Sequence, residues 1–177
     1  MMIMTVPDAV EILFDKCLAF GKKFAKAQIE AGCDLMGIGD AICSQIDSDT
    51  YNTFIRSRHQ ELIEYIHSLG IPVKLHICGN IDHLLDSLKN VNMDIIDLDW
   101  LVEIDKAREI LGKDVVLGGN INPVYVQDQT EQKVFEYSRG LVEKYKDQKY
   151  LLAAGCEITV LTPPENLMAM RKASYRK

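Results

Sequence analysis

The sequence predicts an α/β fold, a parallel (β/α) barrel of the TIM type represented by about five of its eight βα units. The first observation is that short apolar runs alternate along the chain with amphipathic stretches at helical spacing, the pattern of parallel βαβ units. The second is that reactive polar side chains follow the ends of four different apolar runs. A barrel collects its catalytic groups at the C-terminal ends of several strands, whereas an open sheet gathers ligands mainly at one switch point.

The composition is typical of one globular domain over residues 1–177, with 47% hydrophobic and 26% charged residues and no linker. A net charge of −6 without a Lys/Arg-rich run makes nucleic acid an unexpected partner. Charges interrupt the apolar runs before a membrane span is reached, and no signal peptide is recognisable, so we expect a cytoplasmic protein without membrane contact. The odd number of cysteines, five, predicts reduced thiols that serve packing or metal ligation.

The first part of the chain predicts two helix–strand units. A helix is expected over 5–30, because Thr5 stands in a capping position and apolar residues then recur at helical spacing. The apolar run 34–39 ends in glycine and predicts a short buried strand. A second amphipathic helix covers 49–69, closed by glycine and proline, and the apolar run 73–77 is the next strand.

The remainder of the chain repeats this unit of strand, loop and helix. Thr162, with Glu165 three residues later, fits a capping box that starts a terminal helix. The other elements follow from the same periodicities. They are helices over 80–88, 104–111 and 130–146, and strands over 93–98, 114–117 and 150–154.

The stretch around His76 and Cys78 is the strongest functional feature of the sequence. Residues two apart on an extended strand point to the same face, so these two side chains are expected to enter one cavity as ligands of a single metal ion. Cys156, at the end of the last predicted strand, is the best candidate for a third ligand. A site of one His and two Cys leaves a zinc ion with an open fourth position, which is a catalytic arrangement.

An open position on zinc can accept a substrate thiol and hold it as the nucleophilic thiolate. We expect Asp99, or alternatively Glu157, to fill this position until the thiol displaces it. Asp97 and Asp99 flank a strand end, and we expect Asp99 to face the barrel mouth, with Asp97 as an additional ligand or supporting group. Asn120, after two glycines, is a candidate substrate or supporting group, with a turn role as the alternative. The competing interpretation of the whole cluster is a buried histidine packed with two small apolar cysteines.

The remaining cysteines and two of the histidines carry weaker predictions. Cys17 and Cys33 occupy or adjoin apolar helical positions and are expected in the core. Cys43 lies in a predicted loop and is expected to be exposed. His59 and His67 fall on a charged helix face, where we expect them to be solvated.

Four motifs in this order resemble the C-terminal part of the uroporphyrinogen decarboxylase superfamily. The superfamily contains porphyrinogen decarboxylases and zinc-dependent methylcobamide:coenzyme M methyltransferases, both built on a (β/α)8 barrel, so the resemblance implies the same fold. The resemblance covers nearly the whole chain. The motifs are PVKLHICGN at 72–80, IIDLDW at 95–100, LGGNINP at 117–123 and TPPEN at 162–166.

Within that superfamily the chain is more similar to the methyltransferase branch. The decarboxylases carry Gly-His-Gly after the last strand and no His-x-Cys pair, whereas this chain has Cys156 and the pair His76/Cys78. The resemblance therefore implies a zinc site of these three ligands with Asp99 as the displaceable one. It also implies transfer of a methyl group from a methylated corrinoid (methylcobamide), carried on a separate protein, to a small thiol such as coenzyme M. The alternative within the family is decarboxylation of a tetrapyrrole.

Members of this superfamily are about twice as long as the chain, because a complete barrel needs about 250 residues or more. Bare edges on an arc of parallel strands favour aggregation. We therefore expect a homodimer or a partner subunit that covers these edges. A third possibility for the function is a non-catalytic remnant that binds a corrinoid or a partner protein.

Overall fold

Five parallel strands form one sheet in the computed structural model, which describes residues 2–175. The strands follow one another across the sheet in chain order, β1 to β5. A doubly wound sheet would reverse its order at a switch point, so sequential parallel pairing confirms the predicted arc of a (β/α) barrel. The strands are β1 Met36–Asp40, β2 Val73–Ile77, β3 Ile95–Leu98, β4 Val116–Ile121 and β5 Tyr150–Ala154.

Helices connect the strands on the convex side of the sheet, where the main hydrophobic core lies. They are α1 Met2–Thr5, α2 Pro7–Glu30, α3 Ser48–Phe54, α4 Arg56–Ser68, α5 Leu85–Leu88, α6 Ile104–Leu111, α7 Pro123–Asp128, α8 Glu131–Lys144 and α9 Pro164–Ser174. A 3-10 turn, Cys43–Gln45, follows β1. No helix within the described part of the chain is both long enough and apolar enough to cross a membrane.

The two faces of β2 show how the sheet separates core from site. Val73, Leu75 and Ile77 are fully buried beneath the helices, whereas Lys74 and His76 lie on the concave face and are partly exposed. This alternation follows from the two-residue period of a strand. The concave face is therefore the part of the sheet that is available to a ligand.

One row of paired residues crosses the concave face at the level of His76. Successive partners from β1 to β5 are Gly39, His76, Asp97, Gly118 and Leu151. Neighbouring residues in register project from the same face of a parallel sheet. The polar pair in the centre of the row is thus flanked on both sides by glycine.

Helix starts differ from the predicted capping in two places. The Thr5 hydroxyl donates to the backbone oxygen of Met2 within its own short helix. The cap of α2 is Val6, which makes no capping hydrogen bond from its side chain. Pro7, the first residue of α2, has no N–H group that would require an acceptor. At α9 the cap is Pro163, and the Thr162 hydroxyl instead lies 2.9 Å from that of Thr159. The expected capping residues are therefore wrong for both helices.

Several element boundaries also differ from the predicted ones. The helix expected over 49–69 is two helices that meet at Ile55, and the first is capped by Asp47, whose carboxylate accepts from the Thr50 nitrogen. Strand β4 continues through its glycines to Ile121, since pairing with β5 holds them extended. Helix α7 has no counterpart among the predicted helices; its start at Pro123, capped by Asn122, is a recognisable pattern.

Candidate metal centre

Three donor atoms from two distant parts of the chain converge at the C-terminal end of the sheet. The Cys78 sulfur lies 3.3 Å from Nε2 of His76 and 3.8 Å from the Cys156 sulfur. One ligand atom from each of these residues lies within 4.8 Å of the other two. The sequence-predicted ligands are therefore brought together in one partly buried cluster, which has the composition of a metal site.

Strand pairing fixes the orientation of His76. Its Nδ1 donates to the backbone oxygen of Asp97 at 2.9 Å, and the Asp97 carboxylate lies 3.5 Å from the same nitrogen. A carbonyl oxygen only accepts, so the proton resides on Nδ1 and the lone pair on Nε2. The ring is held with its free lone pair towards the two sulfurs, as metal-bound histidines are held by their second nitrogen.

Cys78 follows directly after β2 and is held by main-chain contacts. Its nitrogen donates to the Asp40 oxygen at 3.0 Å, which extends the β1–β2 pairing by one residue. The next residue, Gly79, has a φ of +88° and leaves only 2.8 Å between a hypothetical Cβ and the Ser44 hydroxyl. Only glycine fits this turn, which directs the Cys78 side chain back towards His76.

Cys156 reaches the cluster through a close approach of two backbones. Gly155 donates from its nitrogen to the Ile121 oxygen at 2.7 Å, so the end of β5 stays paired with β4. A Cβ on Gly155 would lie 2.4 Å from the Trp100 nitrogen, so the absence of a side chain is required here. This contact places the Cys156 sulfur beside that of Cys78.

The separations of the donors fit a tetrahedral zinc ion. Zinc binds thiolate sulfur at about 2.3 Å and imidazole nitrogen at about 2.0–2.1 Å. Tetrahedral angles then require roughly 3.8 Å between two sulfurs and roughly 3.6 Å between sulfur and nitrogen. The observed values of 3.8 and 3.3 Å are close to these. Among the described residues no carboxylate belongs to the cluster, so a fourth position is left for another ligand.

Of the two aspartates at the end of β3, Asp97 lines the cavity beside the donors, whereas we expected Asp99. Strand β3 ends at Leu98, and the chain then turns, so Asp99 is 4% exposed and accepts from the nitrogens of Gly79 and Leu101 at 2.8 and 3.0 Å. Asp97 instead pairs with Lys74, whose Nζ lies 3.2 Å from its carboxylate. Asp97 therefore accompanies His76, and Asp99 supports the neighbouring loops.

Asn120 and Glu157 occupy different positions around the cluster. The Asn120 amide group donates to the backbone oxygens of Asp99, at 3.1 Å, and Val102, so its nitrogen serves the loop after β3. Glu157 is exposed and lines the cavity described next. The Asn120 amide nitrogen thus supports a loop, and a role of Asn120 towards a substrate stays a prediction.

An open cavity of about 390 Å³ adjoins the donors on the concave face. Its lining combines the floor of β1 and β2 with the carboxylates and one sulfur of the site: Gly37, Ile38, Gly39, Lys74, His76, Asp97, Cys156 and Glu157. Lys74 was not among the predicted site residues. Because it precedes His76 by two residues on the same strand, the alternation of faces is the pattern that would have identified it.

The environment of Cys78 disfavours a free thiolate. Burial raises the pKa of its thiol, and the hydrogen bond and charge of Cys156, followed by the charges of Asp99 and Asp40, raise it further. Two thiolates so close together are stable only beside a positive charge. A bound cation would supply that charge, because coordination to a metal deprotonates a thiol.

Three residues outside the cluster differ from their predicted environments. Cys43 is 2% exposed, and this burial raises the pKa of its thiol above the usual range. Cys17, which we expected in the core, is exposed. His59 is buried rather than solvated: Nδ1 lies 3.0 Å from the Tyr51 hydroxyl and Nε2 lies 3.5 Å from the Asp40 carboxylate. The α2 helix and the loop after β1 cover this region, which the helical pattern of 49–69 alone did not reveal.

The comparison with family models agrees with this architecture. The model described as "Uroporphyrinogen decarboxylase (URO-D)" matches residues 1–176. The chain belongs to the uroporphyrinogen decarboxylase family. This confirms the resemblance carried by the four sequence motifs.

Curated relatives within the uroporphyrinogen decarboxylase family carry two different names. The uroporphyrinogen decarboxylase of Geobacter sulfurreducens is 26% identical over 175 residues, which are 99% of this chain and 51% of that protein. The methylcobamide:CoM methyltransferase MtbA of Methanosarcina acetivorans is 28% identical over 171 residues, 95% of this chain and 49% of the relative. The chain thus spans about half the length of these relatives, and identity alone does not choose between them.

A solved structure of a methyltransferase from Methanosarcina mazei has the same fold as this family member. The TM-score is 0.88 at 24% sequence identity, over 98% of this chain and 51% of the other. At this identity the comparison establishes the fold. It supports the assignment of the five-stranded sheet as part of a (β/α) barrel.

Proposed function

We propose that this chain forms the zinc-binding part of a methyltransferase that moves a methyl group from a methylated corrinoid to a small thiol. The observation that carries the proposal is the convergence of the His76, Cys78 and Cys156 donors at separations that suit zinc. Nitrogen and sulfur donors favour zinc over magnesium or calcium, which prefer oxygen. The similarity to a methylcobamide:CoM methyltransferase supports the same reaction class.

Zinc, when bound, would lower the pKa of a coordinated substrate thiol so that it is a thiolate near neutral pH. The residues of the chain would orient this nucleophile. His76 and the two cysteines would hold the metal at the cavity wall, and the glycines of β1 would leave room for the thiol beside Lys74 and Asp97. The proton of the thiol passes to solvent through the open side of the cavity.

The transfer itself is a displacement at the methyl carbon. The thiolate sulfur forms the new S–CH3 bond while the Co–CH3 bond of the methylcobamide breaks, and both electrons of that bond remain on cobalt as cob(I)amide. The methyl donor is bulky and would be carried on a separate corrinoid protein. The concave face, open in this arc of strands, is the side from which such a donor would approach the thiol.

Metal analysis is the first test of the proposal. The purified chain is expected to contain about one zinc per chain, and Cys78→Ser and Cys156→Ser are each expected to lose most of it. Cys17→Ser is the matched control, because Cys17 is exposed and outside the cluster. Metal-free wild type, or zinc that both variants retain, would contradict the proposal.

Methyl transfer from methylcobalamin to coenzyme M is the second test. Zinc-loaded wild type is expected to form methylated thiol, and Cys78→Ser is expected to form none above the rate without protein. The absence of transfer with every thiol, despite bound zinc, would instead favour a remnant that binds a corrinoid or a partner protein without catalysis.

Decarboxylation of a tetrapyrrole is the second candidate function. The similarity to named uroporphyrinogen decarboxylases over 99% of the chain favours it. It requires no metal ion, so activity with uroporphyrinogen that survives complete zinc removal and Cys156→Ser would select it.

The outer edges of strands β1 and β5 are the places where a partner would pair with the sheet. Each has one side that pairs with no other described strand. We propose that a second copy or a partner subunit pairs with these edges, in a cytoplasmic setting that keeps the five cysteines as free thiols. Mass measurement in solution tests this, and a stable folded monomer would contradict it.

A further inference from the structure

The segment 99–102, which follows β3, contacts the loops that carry both cysteines of the candidate metal centre. We name it the β3 loop. We propose that the β3 loop sets the distance between the Cys78 and Cys156 sulfurs, and that Asp99 is a positioning residue for this distance and not a metal ligand. The inference rests on the proposed function only in that these two sulfurs bind the metal.

The first half of the argument concerns Cys78. Asp99 is buried, and its Oδ2 accepts from the nitrogen of Gly79, the residue after Cys78, at 2.8 Å. Its Oδ1 accepts from the Leu101 nitrogen at 3.0 Å, so the same carboxylate joins the β3 loop to the turn after β2. Asn80 adds a second connection, since its amide donates to the Leu101 oxygen at 3.3 Å. Hydrogen bonds to an ionised carboxylate are stronger than bonds between neutral groups, so the Asp99 side chain holds the Gly79 and Leu101 nitrogens firmly.

The second half concerns Cys156. The backbone of Gly155 packs so closely on Trp100 that an added Cβ would lie 2.4 Å from the Trp100 nitrogen and 2.8 Å from its Cα. Cys156 is the next residue. The β3 loop therefore determines how far the end of β5 can approach the centre of the site.

The β3 loop is itself attached to β4, which lies between β3 and β5. The Asn120 amide donates to the Asp99 oxygen at 3.1 Å and to the Val102 oxygen. The loop is thus held by contacts from β2, β4 and β5 together. Because Cys78 and Cys156 belong to separate loops 78 residues apart in sequence, a shared support of this kind is needed to keep their sulfurs at 3.8 Å.

A metal-free measurement tests the positioning role directly. Diamide, an azo oxidant, takes up two electrons and two protons as two thiols become a disulfide, and the rate depends on how closely the thiols are held. In metal-free protein we expect Asp99→Asn to slow formation of the Cys78–Cys156 disulfide by roughly tenfold or more. Asn keeps the size of Asp but presents an NH2 group to one of the two backbone nitrogens. Asp105→Asn is the matched control, because Asp105 belongs to α6 and pairs with exposed Lys144.

Metal binding provides the second readout. We expect Asp99→Asn to weaken zinc binding by about 10- to 100-fold in competition with a chromophoric chelator, the usual effect of losing a group that supports a ligand. The cobalt-substituted variant is expected to retain the charge-transfer absorption of two thiolates, at reduced affinity. Zinc affinity and disulfide rate both equal to wild type would overturn the proposal. The proposal would also be overturned if the cobalt spectrum showed a carboxylate ligand in the wild type and none in Asp99→Asn, because Asp99 would then be a metal ligand.

Folding is checked with the same samples. Trp100 is the single tryptophan of the chain and belongs to the β3 loop, so its fluorescence reports whether the loop remains in place. If Asp99→Asn does not fold, Asn120→Asp replaces it, because Asp cannot donate to the Asp99 and Val102 oxygens, and the same slower disulfide formation is expected. Wild-type protein that binds no zinc would refute the proposed function, whereas the diamide experiment would still decide the role of the β3 loop.

Discussion

Nδ1 of His76 lies 2.9 Å from the backbone oxygen of Asp97, and this single contact decides which ring nitrogen faces the two cysteines. The acceptor belongs to the main chain of β3 rather than to a side chain. The orientation of the proposed ligand is therefore built into the pairing of β2 with β3, where His76 and Asp97 are register partners.

Replacement of the Asp97 side chain is expected to have a small effect on metal binding. Asp97→Asn keeps the backbone acceptor, so we expect zinc affinity to fall by less than about tenfold, at the lower end of the range for supporting groups. His76→Ala removes one of the three proposed ligands and should lower affinity on the order of 100-fold or more. Chelator competition with both variants measures this difference. Equal losses would show that the carboxylate, not the main chain, orients the ring.

Gly155→Ala is expected to destabilise the protein. The new Cβ would meet the Trp100 nitrogen, and overpacking of this kind costs about 1–3 kcal/mol. Gly140→Ala is the matched control, since a Cβ there has no neighbour within 4 Å and the position is inside helix α8, where alanine is preferred by up to about 1 kcal/mol. Urea unfolding followed by Trp100 fluorescence compares the two. A Gly155→Ala protein as stable as wild type would refute the close contact.

Stability is expected to fall as the pH falls through the titration of His59. Burial lowers the pKa of this imidazole, and the nearby Asp40 carboxylate only partly opposes it. Above the unfolded value of 6.5 both states are neutral, and below it the unfolded state binds the proton more readily, so folding free energy is lost. The maximum slope is about 1.4 kcal/mol per pH unit.

Urea unfolding at several pH values below and above neutrality measures this dependence. His59→Gln removes the titrating group, so its stability should change less steeply with pH than that of wild type in the acidic range. An identical slope in both proteins would assign the loss to other groups.

Replacement of Arg108 by lysine is expected to destabilise the protein. Its guanidinium donates to the oxygens of Gly112, Val115 and Lys149 at 2.7–2.8 Å and thereby joins the end of α6 to the starts of β4 and β5. One ammonium group cannot reach three separate carbonyls, and each lost bond from a charged group costs about 1.5–3 kcal/mol when it is buried. We expect Arg108→Lys to lose about 1–3 kcal/mol in thermal or urea unfolding, because the site is partly solvated.

The control for this experiment is Arg171→Lys. The Arg171 side chain is exposed and, among the residues that the structure describes, donates only to the Tyr175 hydroxyl. A change within about 0.5 kcal/mol is expected there. Equal stability of both variants would show that the carbonyls of the Arg108 site find water instead.

The fold and the convergence of His76, Cys78 and Cys156 were predictable because both depend on periodicity. The alternation of β2 placed His76 and Cys78 on one face, because the bond from the Cys78 nitrogen to the Asp40 oxygen extends the strand pairing by one residue. The position of Cys156 after the last strand placed it at the same end of a parallel sheet. These inferences use only the directions in which neighbouring residues point. They needed no knowledge of how the loops pack.

The roles of Asp97, Asp99 and His59 were not predictable in this way. Asp99 lies just past the end of β3, where the two-residue period no longer applies, and its partners Gly79 and Leu101 come from loops. His59 belongs to a helix with a polar sequence, and its burial results from contacts with Asp40 and Tyr51, which only the folded chain brings together. Periodicity predicts which face of one strand or helix a residue occupies, whereas the positions of these residues depend on contacts with neighbouring loops and helices.

The glycines that flank His76 and Asp97 across the sheet give the site an adaptable size. Gly39 has open space where a side chain would extend, and Gly118 leaves only 3.1 Å between a hypothetical Cβ and the Asp97 carboxylate. The dimensions of the cavity are thus set by positions that donate nothing to a metal. Exchange of Gly39 for alanine or valine would narrow the cavity without disturbing the three donors, so the size of the cavity and the proposed metal site can change independently on this scaffold.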